Sequence, residues 1–195
     1  LVLDGIAVDI AVRDEAAKID LNAASFELLQ ALFEALGEPR AVATRLAAAV
    51  IDWRDADSLG QPAGGAEDAD YAAAGLVGGA KDAPFDTVSK LAQVLGMRPA
   101  LQAAAAPHLT VHGGRALPDA GLADAVVRKA LGLPAQAAPV DPAAPPAPGS
   151  GTYSIESRAR LADGRSAQWS VVLRMGSSGL PGSTYTTLHW AAGEP

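Results

Sequence analysis

The stretch PAQAAPVDPAAPPAPGSG, residues 134–151, constrains this chain more than any other, because it carries six prolines and a single charge. Such a segment favours extended polyproline-like or flexible conformations and offers no large side chains with which to close a core. It separates two parts of different character. The part before it holds 11 basic and 18 acidic residues and reads as largely helical. The part after it holds four basic and three acidic residues and reads as strands.

In the tail, TYSIESRARL places Tyr153, Ile155, Ser157, Ala159 and Leu161 on one face. ADG supplies a hairpin turn, SAQWSVVLRM alternates Trp169, Val171, Leu173 and Met175, and STYTTLHW follows GSSGLPG as a third strand. Three strands of this length are marginal alone. Near the N-terminus, GIAVDIAV alternates Ile6, Val8, Ile10 and Val12, the period of a half-buried strand. It is the only other clear amphipathic strand. The sequence therefore predicts an α+β chain with one sheet built from residues 1–20 and 152–195. Residues 21–133 are then an inserted α-helical domain and 134–151 a linker.

Within the insertion, NAASFELLQALFEALG has Asn22 or Ser25 as cap, Phe26, Leu29, Phe33 and Leu36 at helical steps, and Gly37 as stop. Pro39 suits the first turn of a second helix, whose stripe runs through Val42, Leu46, Ala49, Val50 and Trp53. FDTVSKLAQVLGM repeats the pattern with Asp86 as cap and Gly96 as stop, and Leu117 to Leu133 echoes it more weakly. PHLTVHGG reads as a strand that puts His108 and His112 on one face.

Several function classes fall away. With no cysteine there is no disulfide, thiolate metal site or thiol nucleophile. The net charge of −7 opposes general affinity for nucleic acid or anionic membrane. None of the three histidines neighbours a serine of the nucleophile-elbow type, and GLVGGAK lacks the phosphate-loop spacing. The opening LVLDG has neither Met nor a signal peptide, which suggests a fragment. IDLNAAS followed by a helix and LGEPR is similar to the opening of a helix-hairpin-helix module, but Glu38 would repel a phosphate at that turn. A DNA-binding module of that type is the alternative reading, and a metal-dependent hydrolase a third.

One segment asks for a counter-charge. DWRDADSLGQPAGGAEDADY, residues 52–71, gathers six carboxylates and one arginine in a stretch too rich in Gly and Pro to be one helix. Long loops without their own structure are uncommon unless functional. Asp55 and Asp57, with Asp52 a turn earlier, alternate so that carboxylates can converge; Glu67, Asp68 and Asp70 return a second group. Oxygen-only ligands suit calcium, which takes six to eight, better than magnesium. The spacing is not that of an EF-hand. Two readings stand: a structural Ca2+ held by Asp55, Asp57, Glu67, Asp68 and Asp70, or a solvated acidic loop steadied at most by Arg54.

Five strings in fixed order, DEAAKIDLNAAS, LAAAVIDWRDADS, GAEDADYAAAGL, APFDTVSKLAQVLGM and LTVHGG, resemble the K-type minor pseudopilins of type II secretion systems. The resemblance runs from about Asp14 to Gly114 and departs from the family in LPDAGLADAV. It implies a pilin-like antiparallel sheet interrupted by a large all-α domain, and an N-terminal hydrophobic helix that is absent here. It implies a non-enzymatic tip subunit of the periplasmic pseudopilus, anchored in the inner membrane only through that helix. Its partners would be I- and J-type minor pseudopilins and, at the tip, secreted cargo. The family's association with calcium agrees with the acidic loop.

Overall fold

The architecture follows from two periodicities, and a computed structural model describes it for residues 1–3, 5–136, 149–161, 163–176 and 184–192. The strands are β1 (Val2–Leu3), β2 (Ile6–Asp14), β3 (Ile19–Asp20), β4 (Leu109–Thr110), β5 (Thr152–Arg160), β6 (Ser166–Met175) and β7 (Tyr185–Ala192). The helices are α1 (Phe26–Ala35), α2 (Arg40–Arg54), α3 (Asp68–Ala73), α4 (Pro99–Ala105) and α5 (Ala125–Ala130). The chain is thus a mixture of helices and antiparallel sheet. Among the described residues, no helix is long and apolar enough to cross a membrane.

Contacts divide the chain into two compact units, residues 1–16 with 142–195, and residues 17–141. The first holds a five-stranded antiparallel sheet in the order β1-β2-β5-β6-β7. The N-terminal strand does pair with the tail: β2 runs against β5 from Val8 opposite Ala159 to Asp14 opposite Tyr153. The alternation read from sequence appears as rows. Val12, Ile155, Val171 and Trp190 lie side by side across four strands, as do Ile10, Ser157, Trp169 and Ala192. The face is less covered than a half-buried strand implies, since Ile10 is 51 % and Val12 60 % exposed.

A clamp joins the strand that leaves this sheet to the one that returns. The Asp14 carboxylate accepts the Ser150 backbone N–H at 2.7 Å, the Ser150 hydroxyl, and the Ala16 N–H at 2.8 Å. Gly149 leaves room beside it for the Tyr153 hydroxyl, which would lie 2.0 Å from a Cβ at that position. Most of the linker, residues 137–148, lies outside the described residues, as do most of GSSGLPG and Ala162 of the ADG turn.

The second unit has its own core. Leu28, Leu29, Leu32 and Phe33 of α1 pack with Ala43, Leu46, Ala47 and Val50 of α2 and Val127 of α5. The small residues of α2 let the helices approach, while each large side chain buried contributes roughly 1.5–3 kcal/mol. Ser25 caps α1 by accepting the Leu28 N–H. Asn22 instead pairs with the backbone of Phe85, accepting its N–H at 2.7 Å and donating to its carbonyl at 3.0 Å.

Other expectations change. Residues 17–20, read as part of the sheet, lie in the second unit, where β3 pairs in parallel with β4. Pro39 precedes α2 rather than opening it. The expected third helix is a short 3-10 stretch, Val88–Gln93, entered at Thr87; Asp86 is no cap and pairs with Lys81 at 2.6 Å. β-branched and hydroxyl residues at 87–89 explain why a full helix does not start there. The weak echo gives only α5, capped by Asp124, and α4 appears where none was anticipated. His108 and His112 do not share a strand face: His108 ends a 3-10 turn and its Nδ1 lies 2.6 Å from Asp124, while His112 follows β4.

Candidate metal centre

The apolar stripe of α2 carries an aspartate inward. Ala48 and Ala49 are buried, and Asp52, one turn on, is fully buried. Its carboxylate accepts the Gln61 N–H at 3.1 and 3.2 Å to its two oxygens, and the Ala66 N–H adds a further hydrogen bond. Residues 55–67 thus fold back over the end of α2. Gly65 makes this approach feasible, since a Cβ there would stand 1.8 Å from Asp52 Oδ2.

Asp55 ends α2, and Glu67 precedes α3. One carboxylate oxygen from each of Asp52, Asp55 and Glu67 lies within 4.8 Å of the others. Asp55 Oδ1 and Glu67 Oε1 are buried without a hydrogen-bond partner. Burying such an oxygen unpaired costs free energy that a proton or a cation can offset. Burial, then the charge of Asp57, pushes the Asp55 carboxyl above its ordinary range. Burial, then Asp52, Asp55 and Asp82, does the same to Glu67. Burial also raises Asp52, against the hydrogen bonds from Gln61 and Ala66 that favour its ionised form.

Among the described residues, no ion pair neutralises these three acids. Arg54 points its guanidinium elsewhere, donating to the Leu21 carbonyl and, at 2.6 Å, to the Ala24 carbonyl. The ends of the loop are fixed from below by aromatic packing. Trp53 stacks on Phe85 with ring centroids 6.0 Å apart and lies 6.1 Å from Tyr71. The Tyr71 hydroxyl accepts the Leu95 N–H at 3.0 Å.

The five residues singled out in the sequence divide. Asp55 and Glu67 enter the cluster. Asp57 accepts the Leu59 N–H at 2.8 Å and acts on the cluster through its charge. Asp70 caps the start of α3 by accepting the Glu67 N–H at 3.0 Å. The Asp68 carboxylate fills the space a side chain on Gly79 would need. Asp52 joins the cluster in their place, and its position on the Ala48 and Ala49 face of α2 was the available signal. Asp82, whose charge reaches Glu67, had no such signal.

The arrangement can hold a hard cation through oxygen atoms, and it has no His or Lys among its three members. At the helix-hairpin-helix turn, Glu38 is ion-paired with Arg98, so that turn is closed by side chains and gives no support to a phosphate-binding role.

The family model for type II secretion system (T2SS) protein K matches residues 9–114, a span that runs from within β2 through α1 to α4 and takes in the whole acidic cluster. The crystal structure of the GspK-GspI-GspJ complex from the enterotoxigenic Escherichia coli type 2 secretion system contains a chain of the same fold. It superposes with a TM-score of 0.75 at 18 % identity, covering 100 % of this chain and 82 % of that chain. No curated protein sequence matches. The family match spans more than half of the residues, and the shared fold extends to the strands beyond it. On those grounds the chain belongs to the type II secretion system protein K family.

Proposed function

We propose that this chain is the periplasmic part of a K-type minor pseudopilin, a non-enzymatic tip subunit of the secretion pseudopilus that assembles with I- and J-type minor pseudopilins. The observation that carries the reading is the fold shared, over its whole length, with a chain of the solved GspK-GspI-GspJ complex. In this reading the sheet is the pilin-like element and residues 17–141 are its inserted helical domain. A large unit appended to one filament subunit would obstruct addition of the next above it, which suits a terminal position. Co-expression with the I- and J-type subunits of the same secretion system tests the reading. A complex containing all three chains is the expected result; a chain that elutes alone beside an intact I–J pair would overturn it.

The acidic cluster is then a structural Ca2+ site. Two buried carboxylate oxygens without hydrogen-bond partners, on acids that converge with no ion pair to them among the described residues, fit such an ion. Asp52, Asp55 and Glu67 would hold it. The ion would supply positive charge and ligand ordering, and the protein's own part is to bring α2 and α3 together around it.

A further inference from the structure

The turn at residues 20–24 leads from β3 into α1 and is closed on itself. Asp20 is buried, and its carboxylate accepts the Asn22 N–H at 2.8 Å and the Gly114 N–H at 2.7 Å. Its carbonyl accepts the N–H groups of Ala23 and Ala24. So fixed, the turn grips two distant segments. Arg54, the last residue of α2, donates to the carbonyls of Leu21 and Ala24. The Asn22 side chain holds both backbone groups of Phe85, accepting the N–H at 2.7 Å and donating to the carbonyl at 3.0 Å.

The bend that carries Phe85 is tied together as well. Lys81 Nζ donates to the Pro84 carbonyl at 2.7 Å and pairs with Asp86 at 2.6 Å. Asp82, inside that bend, has a φ of +53°, a conformation that Asp and Asn adopt more readily than other side chains.

Both gripped segments adjoin the acidic cluster. Arg54 precedes Asp55, and the buried Phe85 ring stacks on Trp53, between Asp52 and Arg54. Asp82 is close enough for its charge to act on Asp55 and Glu67. It lies outside the three acids whose oxygens converge and adds to the field around them.

We infer that Asn22 is a positioning residue of the ion site: by holding Phe85 against Trp53 it fixes the bend at residues 81–86, and with it Asp82, and so sets how tightly the site closes on a cation. The inference rests on the Ca2+ reading above. Groups that orient a metal site without touching the ion typically change its affinity by about 10–100-fold when removed. Asn22 is neutral, so its loss leaves the charge of the site unchanged and a fall in affinity reports geometry.

The test is calorimetric titration of the whole chain with calcium, at a temperature where every variant remains folded. Asn22→Ala loses both hydrogen bonds to Phe85 and should bind calcium at least about tenfold more weakly than the parent. Phe85→Leu keeps an apolar side chain but removes the ring stacked on Trp53, and carries the same expectation should Asn22→Ala not fold. Asp124→Ala, which uncaps α5 in the same unit, should leave the affinity unchanged, because destabilisation that leaves the chain folded does not alter the Kd of the folded state. Parent-like affinity in Asn22→Ala or in Phe85→Leu would overturn the inference, and so would an equal loss in Asp124→Ala. A parent chain that takes up no calcium would refute the ion reading itself, and the inference with it.

Discussion

Replacing Glu67 by Gln should move stability in opposite directions with and without calcium. Three carboxylate oxygens lie within 4.8 Å of one another. At that distance and an effective dielectric near 20, each ionised pair repels by about 3 kcal/mol, and proton uptake caps the cost actually paid. Glu67→Gln removes two of the three repulsive pairs at nearly constant volume. In chelator it should therefore melt above the parent chain. Calcium binding only the folded form stabilises by about 2.7 kcal/mol at a hundredfold excess over Kd. For a chain of 195 residues that is a rise of about 5–10 °C in melting temperature. The parent should show this rise, magnesium should give less of it, and Glu67→Gln should lose most of it. Asp57→Asn, which alters only a neighbouring charge and one turn hydrogen bond, should keep most of it. Thermal melts of the variants in calcium, magnesium and chelator decide the matter. Superimposable curves for the parent in calcium and chelator would refute the reasoning, and so would a Glu67→Gln chain that retains the full shift.

Gly65→Ala should cost at least about 2 kcal/mol in urea unfolding and blunt the calcium shift, because its Cβ would sit 1.8 Å from Asp52 Oδ2. The pH dependence in chelator has a defined sign. Asp52, Asp55 and Glu67 are raised in the folded state, so their contribution is present below the ordinary carboxylate range near 4 and lost as pH rises through the raised values. With calcium the slope should reverse, because protons compete with the ion; denaturation midpoints across pH in the two buffers check both slopes. Asp124→Ala removes the acceptor of the Val126 and Val127 N–H groups and the partner of His108, and should cost about 1–2 kcal/mol by chemical unfolding while leaving the calcium shift in place.

Much of the fold was legible because its cues are local. The alternation in GIAVDIAV and SAQWSVVLRM gave the strands, and capped stripes gave α1 and α2. The segment from Asp86 to Met97 misled because apolar spacing alone cannot offset poor helix formers at 87–89. At the acidic loop, composition signalled a charge problem, but proximity in sequence did not reveal which acids converge. Asp57 and Asp70 spend their oxygens on nearby backbone N–H groups, an ordinary use of Asp at turns and helix starts. Asp52 belongs to the cluster because it lies on the buried side of α2, which only the helical period exposes.

The clamp between Asp14 and Ser150 also bears on how the protein reaches its fold. β2 and β5 are antiparallel neighbours, as in a hairpin, yet the two clamped residues are 136 positions apart. Closing an unstructured loop of that length costs about 3 kcal/mol more than closing one of four residues. Pairing of this kind also raises contact order, which slows folding. The cost falls if the intervening residues collapse first around α1, α2 and α5, since a folded insert spans far less distance than a random one. The helical unit then acts as a chaperone in cis for the sheet, and sheet formation becomes the late, rate-limiting event. Destabilising the helical core would slow assembly of strands that it shares no ladder with.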